Sequence, residues 1–514
     1  MRIPLIPLAL LFAAVVHTVS AATTETLLLV DDRYVLYRAG TERFLPSPTR
    51  HEANPVIAET KPWEVAIAWT SVYYDKSADR YQLWYQAYGG SDSPQPQCVT
   101  CYAESKDGIH WTKPNLGLFP YGDEKDTNIV MIGNGGRSIR YGNSVVVDPR
   151  DPDPARRYKM AYFDFSAGEG PSMPGLHVAF SPDGIHWKKP DVPMPLQATA
   201  YGDYGDTVPF KGEPGRELSV PLSISDVHDV FYDYKRGVFA DYAKMWIDGP
   251  DGGMFWKHGM GRTESKDFIH WSQPELIITP DEFDPAYMEF HTAPVFLYAD
   301  YYFSLSQVLN RGEGGGVIDI ELMLSWDGIR FSRPFRDKLL YTREGGKAFE
   351  SGSIFTNSSP VFLEDEMRFY YGAYSQGATG ANDHEQRSGI GLFTLPRDRF
   401  AGVRTVPLSD QPTLVEALHD IGQVTLKARD LSNVTAITLN ANASAGEIRV
   451  ELLDAAGYRV AGYTKEDAQV ITGDRLRHDV AWKARGLSDL ENGEYMLRIH
   501  LKKASLFAVN VMRE

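Results

Sequence analysis

The chain has 514 residues, of which 43% are hydrophobic and 23% charged, a composition that fits a globular protein with room for more than one domain. Its formal net charge of −16 argues against a nucleic acid or an anionic membrane as the main partner, because both bind basic surfaces. Beyond the N-terminus, no run reaches the roughly 18 apolar residues of a membrane helix.

Residues 1–21 have the pattern of a secretory signal peptide. Arg2 precedes an apolar run from Ile3 to Val16, and small residues follow. We expect cleavage after Ala21 or the residue after it. The mature protein is therefore predicted to be soluble and either secreted or periplasmic.

The chain has two cysteines, Cys98 and Cys101, in the stretch "PQCVTC". In an exported protein a disulfide that closes a small loop is possible, and whether the two cysteines are bonded stays open. A thioredoxin-like redox pair would need a following helix, whereas the next residues read as a β-hairpin. Without a histidine at ligand spacing, the pair does not predict a zinc site.

The stretch "SKDGIHW" is repeated along the chain. Its copies begin at Ser105, Ser181 and Ser265, with a looser copy at Ser325. Asp-Gly favours a hairpin turn because glycine adopts positive φ without steric cost, and the aspartate can accept bonds from the turn's own amides. We interpret the copies as the outer hairpins of a repeated β unit, with a structural role for their Asp and His.

An aromatic-rich strand is predicted in each unit, preceded by a second β-rich run. These strands cover residues 81–88, 158–165, 242–249, 301–308 and 367–374. Four strands in each of five units predict an all-β fold, a five-bladed β-propeller. In the last unit the closing hairpin loses the repeated letters, and residues 27–40 are expected to add an edge strand or to cover one face.

The texture of the sequence changes after about residue 407. Apolar residues then alternate without any copy of the repeat, which predicts a separate antiparallel β-sandwich. The expected organisation is a signal peptide (1–21), a propeller (22–407) and a sandwich (408–514). The sandwich either binds glycan or, as we expect, shields an edge of the propeller.

Candidate functional residues come from the segment just before each innermost strand, because these strands converge on a central channel in a propeller. The catalytic candidates are Glu64, Asp226, Glu289, Glu350, His228 and His291. The substrate-binding candidates are Trp63, Arg140, Tyr141, Asn143 and Tyr287. Two carboxylates facing one pocket are what glycoside hydrolysis requires. The structural alternative is that some of these acids form ion pairs, for example with Arg140, or cap loops.

Residues of about 50 to 400 resemble the five-bladed propeller glycoside hydrolases, the group of invertases, levanases, arabinanases and neoagarooligosaccharide hydrolases. The resemblance lies in "NPVIAETKPWE", "WTSVYYDKSADRYQLWYQAY", the "SKDGIHW" copies and "FESGSIFTNSSPVFLEDEMRFYYGAY". It is greatest to the invertase-like branch, in which a β-sandwich follows the propeller.

This resemblance implies acids on the first three blades, yet no acid precedes the innermost strand of the second unit. Arg150-Asp151-Pro152 lies at an outer turn, so no role is transferred to it. In some relatives of the neoagarooligosaccharide type a histidine is the proposed acid, which keeps His228 and His291 as candidates. No cofactor is required, and calcium or another divalent cation in the channel is a further candidate.

Three functions follow as hypotheses. The first is an exported glycosidase acting on an oligo- or polysaccharide, with Glu289 or Glu350 as acid and Glu64 or Asp226 as base or nucleophile. The second is a glycan-binding propeller without catalysis. The third is a uronate lyase in which a histidine and a tyrosine abstract a proton. The sugar, the stereochemistry and the oligomeric state stay open.

Overall fold

The computed structural model describes residues 23–90, 92–136, 138–139, 143–165, 174–197, 224–247, 257–344, 348–378, 387–407 and 420–513. Their regular structure is almost entirely β, which confirms the all-β prediction. The helical elements among them are three single 3-10 turns, at Asn134–Gly136, Pro154–Arg156 and Leu487–Asp489. In this part of the chain no helix is long and apolar enough to cross a bilayer. The predicted signal peptide lies outside the described residues.

In chain order, the first strands are β1 (Thr23–Leu28), β2 (Val35–Ala39), β3 (Thr41–Phe44), β4 (Thr49–Arg50), β5 (Ala66–Asp75), β6 (Arg80–Tyr88), β7 (Cys98–Ser105), β8 (Ile129–Met131), β9 (Ser144–Val147), β10 (Tyr158–Phe165) and β11 (Pro174–Ser181). The central strands are β12 (Leu196–Gln197), β13 (Val230–Asp233), β14 (Val238–Ile247), β15 (Lys257–Ser265), β16 (Glu275–Ile278), β17 (Met288–Phe290), β18 (Val295–Tyr298), β19 (Tyr301–Asn310), β20 (Val317–Ser325) and β21 (Phe331–Ser332). The last are β22 (Ser353–Phe355), β23 (Val361–Phe362), β24 (Glu366–Tyr374), β25 (Ser388–Pro396), β26 (Gly402–Thr405), β27 (Ile421–Leu426), β28 (Arg429–Asp430), β29 (Val434–Asp454), β30 (Ile471–Asp479), β31 (Glu494–Lys502) and β32 (Ser505–Arg513).

The chain forms two compact units, and the larger one comprises residues 44–401. It contains three four-stranded sheets, in the orders β5-β6-β7-β8, β12-β11-β10-β9 and β13-β14-β15-β16. A ten-stranded sheet holds β17 to β25 together with β4, and a parallel bridge between Ile318 and Ser353 joins its two halves. The five predicted repeats thus correspond to three separate sheets and two halves of a fourth.

The aromatic-rich strands of the five repeats coincide with β6, β10, β14, β19 and β24. Each pairs antiparallel with a strand on both sides, and its side chains are mostly buried. Aromatic and β-branched residues suit such a position because both faces of the strand pack against neighbours. The sequence therefore located the second strand of every repeat.

The repeated hairpins have the geometry expected of their sequence. In the first copy, Ser105 Oγ accepts a bond from the Gly108 amide at 2.9 Å, and Asp107 Oδ1 accepts bonds from the next two amides at 2.8 Å. The other copies repeat these contacts, which confirms the capping role of the aspartate. In the third copy Phe268 replaces the glycine at a φ of +67° and is fully buried.

The two cysteines are buried thiols that are not joined to each other, so the disulfide left open by the sequence does not form. Both lie on β7, three positions apart. Because successive side chains of a strand point to opposite faces, residues separated by an odd number of positions cannot approach each other. The spacing of the two cysteines is compatible with a disulfide-closed loop only where the segment does not form a strand.

The smaller unit combines residues up to Arg43 with residues from Gly402 onward. Its sheet has the order β2-β27-β31-β29-β32-β26-β3, with β1 beside β32, β28 beside β31 and β30 beside β29. The long strand β29 pairs with β32 over its first half and with β31 over its second.

The N-terminal strands of this unit pair with strands from the other end of the chain. β1 runs antiparallel to β32, and Leu27, Leu29 and Val35 lie in the hydrophobic core of the same sheet. The sequence prediction had placed these residues with the propeller, as an edge strand or a cover. Alternation of apolar residues indicates a strand but does not identify its partner. The predicted boundary after residue 407 adjoins residues 408–419, which lie outside the described part of the chain.

Candidate functional site

Several predicted site residues meet in one group of side chains, all buried except that of Arg311, called here the inner cluster. Its members are Trp69, Asp226, Lys244, His258, Glu289, His291 and Arg311. Strands β5, β14, β15 and β17 supply Trp69, Lys244, His258 and Glu289, in that order. Asp226 precedes β13, His291 follows β17 and Arg311 follows β19. The cluster therefore joins residues that are distant in sequence.

The Glu289 carboxylate contacts both His258 and Arg311. The His258 amide donates to its Oε2 at 3.0 Å, the His258 Nδ1 lies 2.7 Å from the same oxygen, and Arg311 Nε donates to Oε1 at 2.9 Å. Burial favours the neutral acid, but His258 and Arg311 outweigh burial and lower the pKa of Glu289 to about 2. Glu289 is consequently ionised at neutral pH.

Asp226 is paired with Lys244, whose Nζ lies 2.5 Å from Oδ1. The charges of Asp226 and Glu289 both affect the pKa of one imidazole, that of His258. Burial lowers the pKa of His258 to about 4, Lys244 acts in the same direction, and the charges of Glu289 and Asp226 oppose them. His258 is therefore neutral at neutral pH, although the charges of both carboxylates oppose the lowering of its pKa.

His291 is the second histidine of the cluster, and its ring stacks on Trp69 with centroids 5.6 Å apart. Its Nδ1 lies 3.1 Å from Gln307 Oε1, and Gln307 Nε2 donates to the Thr356 carbonyl, which orients the amide. Nδ1 is thus the protonated nitrogen and Nε2 carries the lone pair. Burial, followed by the charge of Lys244, holds the pKa of His291 well below its usual value.

His228 and Asn143 line a narrow cavity next to the cluster, to which Trp69 also contributes. The Nδ1 of His228 lies 2.8 Å from Asp241 Oδ2. The cavity volume is about 10 Å³, which is far below that of a sugar ring. His228 and Asn143 therefore face a space of about one water molecule. A site that binds a sugar is many times larger.

Glu64 and Trp63 lie in a different buried network. The Glu64 carboxylate accepts bonds from Tyr85 Oη at 2.6 Å and Lys113 Nζ at 2.7 Å, and from the amides of the preceding turn. Trp63 is 1% exposed and donates through Nε1 to Asn128 Oδ1. Its ring leaves no open face on which a sugar could stack.

Glu350 lies in a pocket of about 500 Å³ that is lined by other residues than the inner cluster. Arg50 Nε lies 2.5 Å from Oε1, and the hydroxyl groups of Tyr341 and Tyr371 donate to Oε2. Burial raises the pKa of Glu350, against the effects of Tyr371 and Arg50. Each of the four predicted acids thus has its own cationic partner, and two of the four share one cluster.

The remaining candidates are an exposed tyrosine and two residues outside the described part of the chain. Tyr287 is 52% exposed, and its carbonyl accepts a bond from the Arg311 amide at 3.1 Å, so it lies beside the cluster. Arg140 and Tyr141 belong to the residues that are not described, and their roles stay predictions.

The sequence analysis missed Lys244, His258 and Arg311, which hold the carboxylates of the cluster. They lie within or just after second and third strands, whereas the search covered only the segments before first strands. Lys244 had a detectable signal, because a lysine inside the apolar strand "YAKMWI" must find a partner when the strand is buried.

The cluster does not fit the divalent cation considered from the sequence. Among the described residues, no three His, Cys, Asp or Glu side chains are arranged to hold a metal ion. Calcium takes six to eight oxygen ligands, whereas Asp226 and Glu289 are already paired with Lys244 and Arg311.

No family model matches this sequence, and no curated protein matches it. Similar solved structures include a glycoside hydrolase (13% identity, TM-score 0.45, 74% of this chain and 96% of that one). Another is described as a structure of the GH130 family of mannoside phosphorylases, which contains glycoside hydrolases that target β-1,2-mannosidic linkages in Candida mannan. It has 15% identity and a TM-score of 0.44, and the match covers 68% of this chain and 94% of that one. A third is a glycosyl hydrolase from Bacteroides ovatus (16%, 0.43, 68% and 94%). Likeness at this level does not indicate a shared activity.

Proposed function

We propose that the protein is an exported glycan-active hydrolase on a five-bladed β-propeller, with the inner cluster as its reaction centre. The observation that carries the proposal is the pair Asp226 and Glu289. These buried carboxylates come from different sheets and act on the same imidazole, that of His258. Two carboxylates that serve one site are the minimum that glycosidic bond hydrolysis needs.

The arrangement of the repeats supports the propeller. The narrow cavity beside the cluster is lined by residues of the innermost segments of four repeats, namely Trp69 and Thr70, Asn143 and Ser144, Val227 to Asp229, and Thr356 with Asn357. Convergence of first strands on a common axis is what a propeller requires. The inner cluster would then lie beside the axis, where propellers place their binding sites.

Glu289 suits the role of base or nucleophile, because its neighbours keep it ionised. This reverses the acid role considered for it from the sequence. The proton donor is then Asp226, because His291 carries its lone pair at Nε2 and its pKa lies well below the usual value. Loss of rate in Asp226→Asn but not in His291→Gln would support this assignment.

A glycan-binding protein without catalysis is the second candidate, and one observation favours it. Both carboxylates of the cluster are ion-paired with a lysine or an arginine, and such pairs favour the charged form. Hydrolysis needs one group that can give up a proton, whereas binding of sugar hydroxyl groups needs none.

Product release separates the two candidates. The mature protein would be incubated with plant, algal and bacterial glycans, and new reducing ends would be measured. We expect turnover of at least one glycan and a loss of roughly 100-fold or more in Asp226→Asn. Glu64→Gln is the matched control, since it also removes one charge from a buried ion pair but lies outside the cluster.

Either of two results would contradict this proposal. One is full activity in Asp226→Asn, and the other is measurable affinity for a glycan with no product at any time. The second result would support the binding candidate, provided that the protein is folded as judged by its circular dichroism.

A further inference from the structure

Four buried polar atoms without a partner meet at the narrow cavity. They are His228 Nε2, Asp229 Oδ2 and both side-chain atoms of Asn143, none of which has a hydrogen-bond partner among the described residues. All three side chains are more than nine-tenths buried and line the same cavity. Buried polar atoms are nearly always hydrogen-bonded in native proteins, so this concentration points to a bound molecule.

The chemistry of the three side chains limits what that molecule can be. The Asp241 carboxylate only accepts, so His228 Nδ1, 2.8 Å away, carries a proton, and Nε2 of the neutral imidazole is then the acceptor. Burial, followed by the charge of Asp241, raises the pKa of Asp229 well above its usual value, which favours the protonated form that can donate. Asn143 offers one acceptor and one donor group.

The size of the cavity adds a second limit. Its volume of about 10 Å³ is close to the lower bound for one water molecule, which is on the order of 10–15 Å³. A cation would leave the Asn143 NH₂ group unmatched, and no three His, Cys, Asp or Glu side chains of the described residues are arranged to hold a metal ion. An anion would face the lone pairs of His228 and Asn143.

We infer that this cavity binds one water molecule, hydrogen-bonded to His228 Nε2, Asp229 Oδ2 and the Asn143 amide. Water is the ligand of this size that donates and accepts at once. Asn143 precedes β9 and the other two residues precede β13, so the water joins two sheets of residues 44–401. The site does not depend on the proposed function.

A crystal structure that resolves ordered solvent tests the inference directly on the unmodified protein. We expect a single peak at about 2.7–3.2 Å from His228 Nε2 and from the Asp229 and Asn143 side chains. An empty cavity, a protein side chain in its place, or a peak with metal-like contacts of about 2.3–2.6 Å would overturn it.

Oxygen-17 relaxation dispersion tests it in solution by counting long-lived internal water molecules. Asn143→Leu should lose one such water relative to the unmodified protein, because leucine fills the space and offers no hydrogen bond. Thr292→Val is the matched control, since Thr292 Oγ1 is also buried without a described partner but does not line this cavity. An unchanged count in Asn143→Leu would overturn the inference.

Discussion

Glu289 illustrates how neighbours, more than burial, decide the charge of an interior carboxyl group. It shares its position before a strand with Glu64 and Glu350, and the sequence gives the three no distinguishing mark. Their surroundings differ because packing of distant strands decides which cation each one meets. Sequence analysis could therefore name the acids, including Asp226 and Glu289, but not select the two that lie together.

The pKa shifts of the cluster predict acid sensitivity. Folding lowers the pKa of Glu289 from 4.5 to about 2 and that of His258 from 6.5 to about 4. A group whose pKa is lower in the folded protein than in the unfolded chain stabilises the fold at pH values above its unfolded-state pKa. This contribution is lost as the pH falls towards the folded-state pKa. The free energy of unfolding should thus decrease from pH 6.5 to pH 2, by up to roughly 3 kcal/mol for each group.

Urea unfolding at a series of pH values measures this effect. Because many other carboxyl groups titrate in the same range, the informative quantity is the difference in unfolding free energy between the unmodified protein and Glu289→Gln. That difference should shrink as pH falls from 4.5 to 2. A difference independent of pH would contradict the ionised state assigned to Glu289.

Among the structural elements, hairpins and second strands were predictable because their signals are local. The turn in Ser-x-Asp-Gly is specified by residues within four positions, and the aromatic strands carry their own pattern. The partner of β1 was not predictable, because its pairing with β32 joins residues almost 500 positions apart and depends on the whole sheet. The sequence likewise left the bonding of the two cysteines open, because it depends on their position on β7.

Two leucines test the assignment of the N-terminal strands. Leu27 is 0% exposed in the core of the smaller unit, and Leu36 on β2 is 53% exposed. We expect Leu27→Ala to cost about 2–5 kcal/mol of unfolding free energy and Leu36→Ala to stay within about 0.5 kcal/mol.

Hydrogen exchange of the β32 amides, read by mass spectrometry, gives a local measure of this loss. Leu27→Ala should accelerate exchange there and Leu36→Ala should not. Equal exchange in the two variants would show that β1 does not support the sheet containing β32.

For the molecule as a whole, repetition explains how the candidate site arises. Five copies of one β unit place equivalent segments at equivalent positions, so polar residues inserted before or after a single strand can meet although they are far apart in sequence. The repeat count was readable because the hairpin letters recur. The residues of the site were only partly predictable from the sequence. Lys244, His258 and Arg311 lie within or just after second and third strands, at positions that the repeat pattern does not mark.

The central claim is that the inner cluster, and not the pocket of Glu350, performs hydrolysis. Its most direct test is the ratio of kcat/KM between Glu289→Gln and Glu350→Gln on a glycan that the unmodified protein cleaves. Both changes remove a buried, arginine-paired carboxylate. We predict a rate roughly 100-fold or more below the unmodified protein for Glu289→Gln and a near-normal rate for Glu350→Gln. The reverse order, or equal rates in the two variants, would contradict the account.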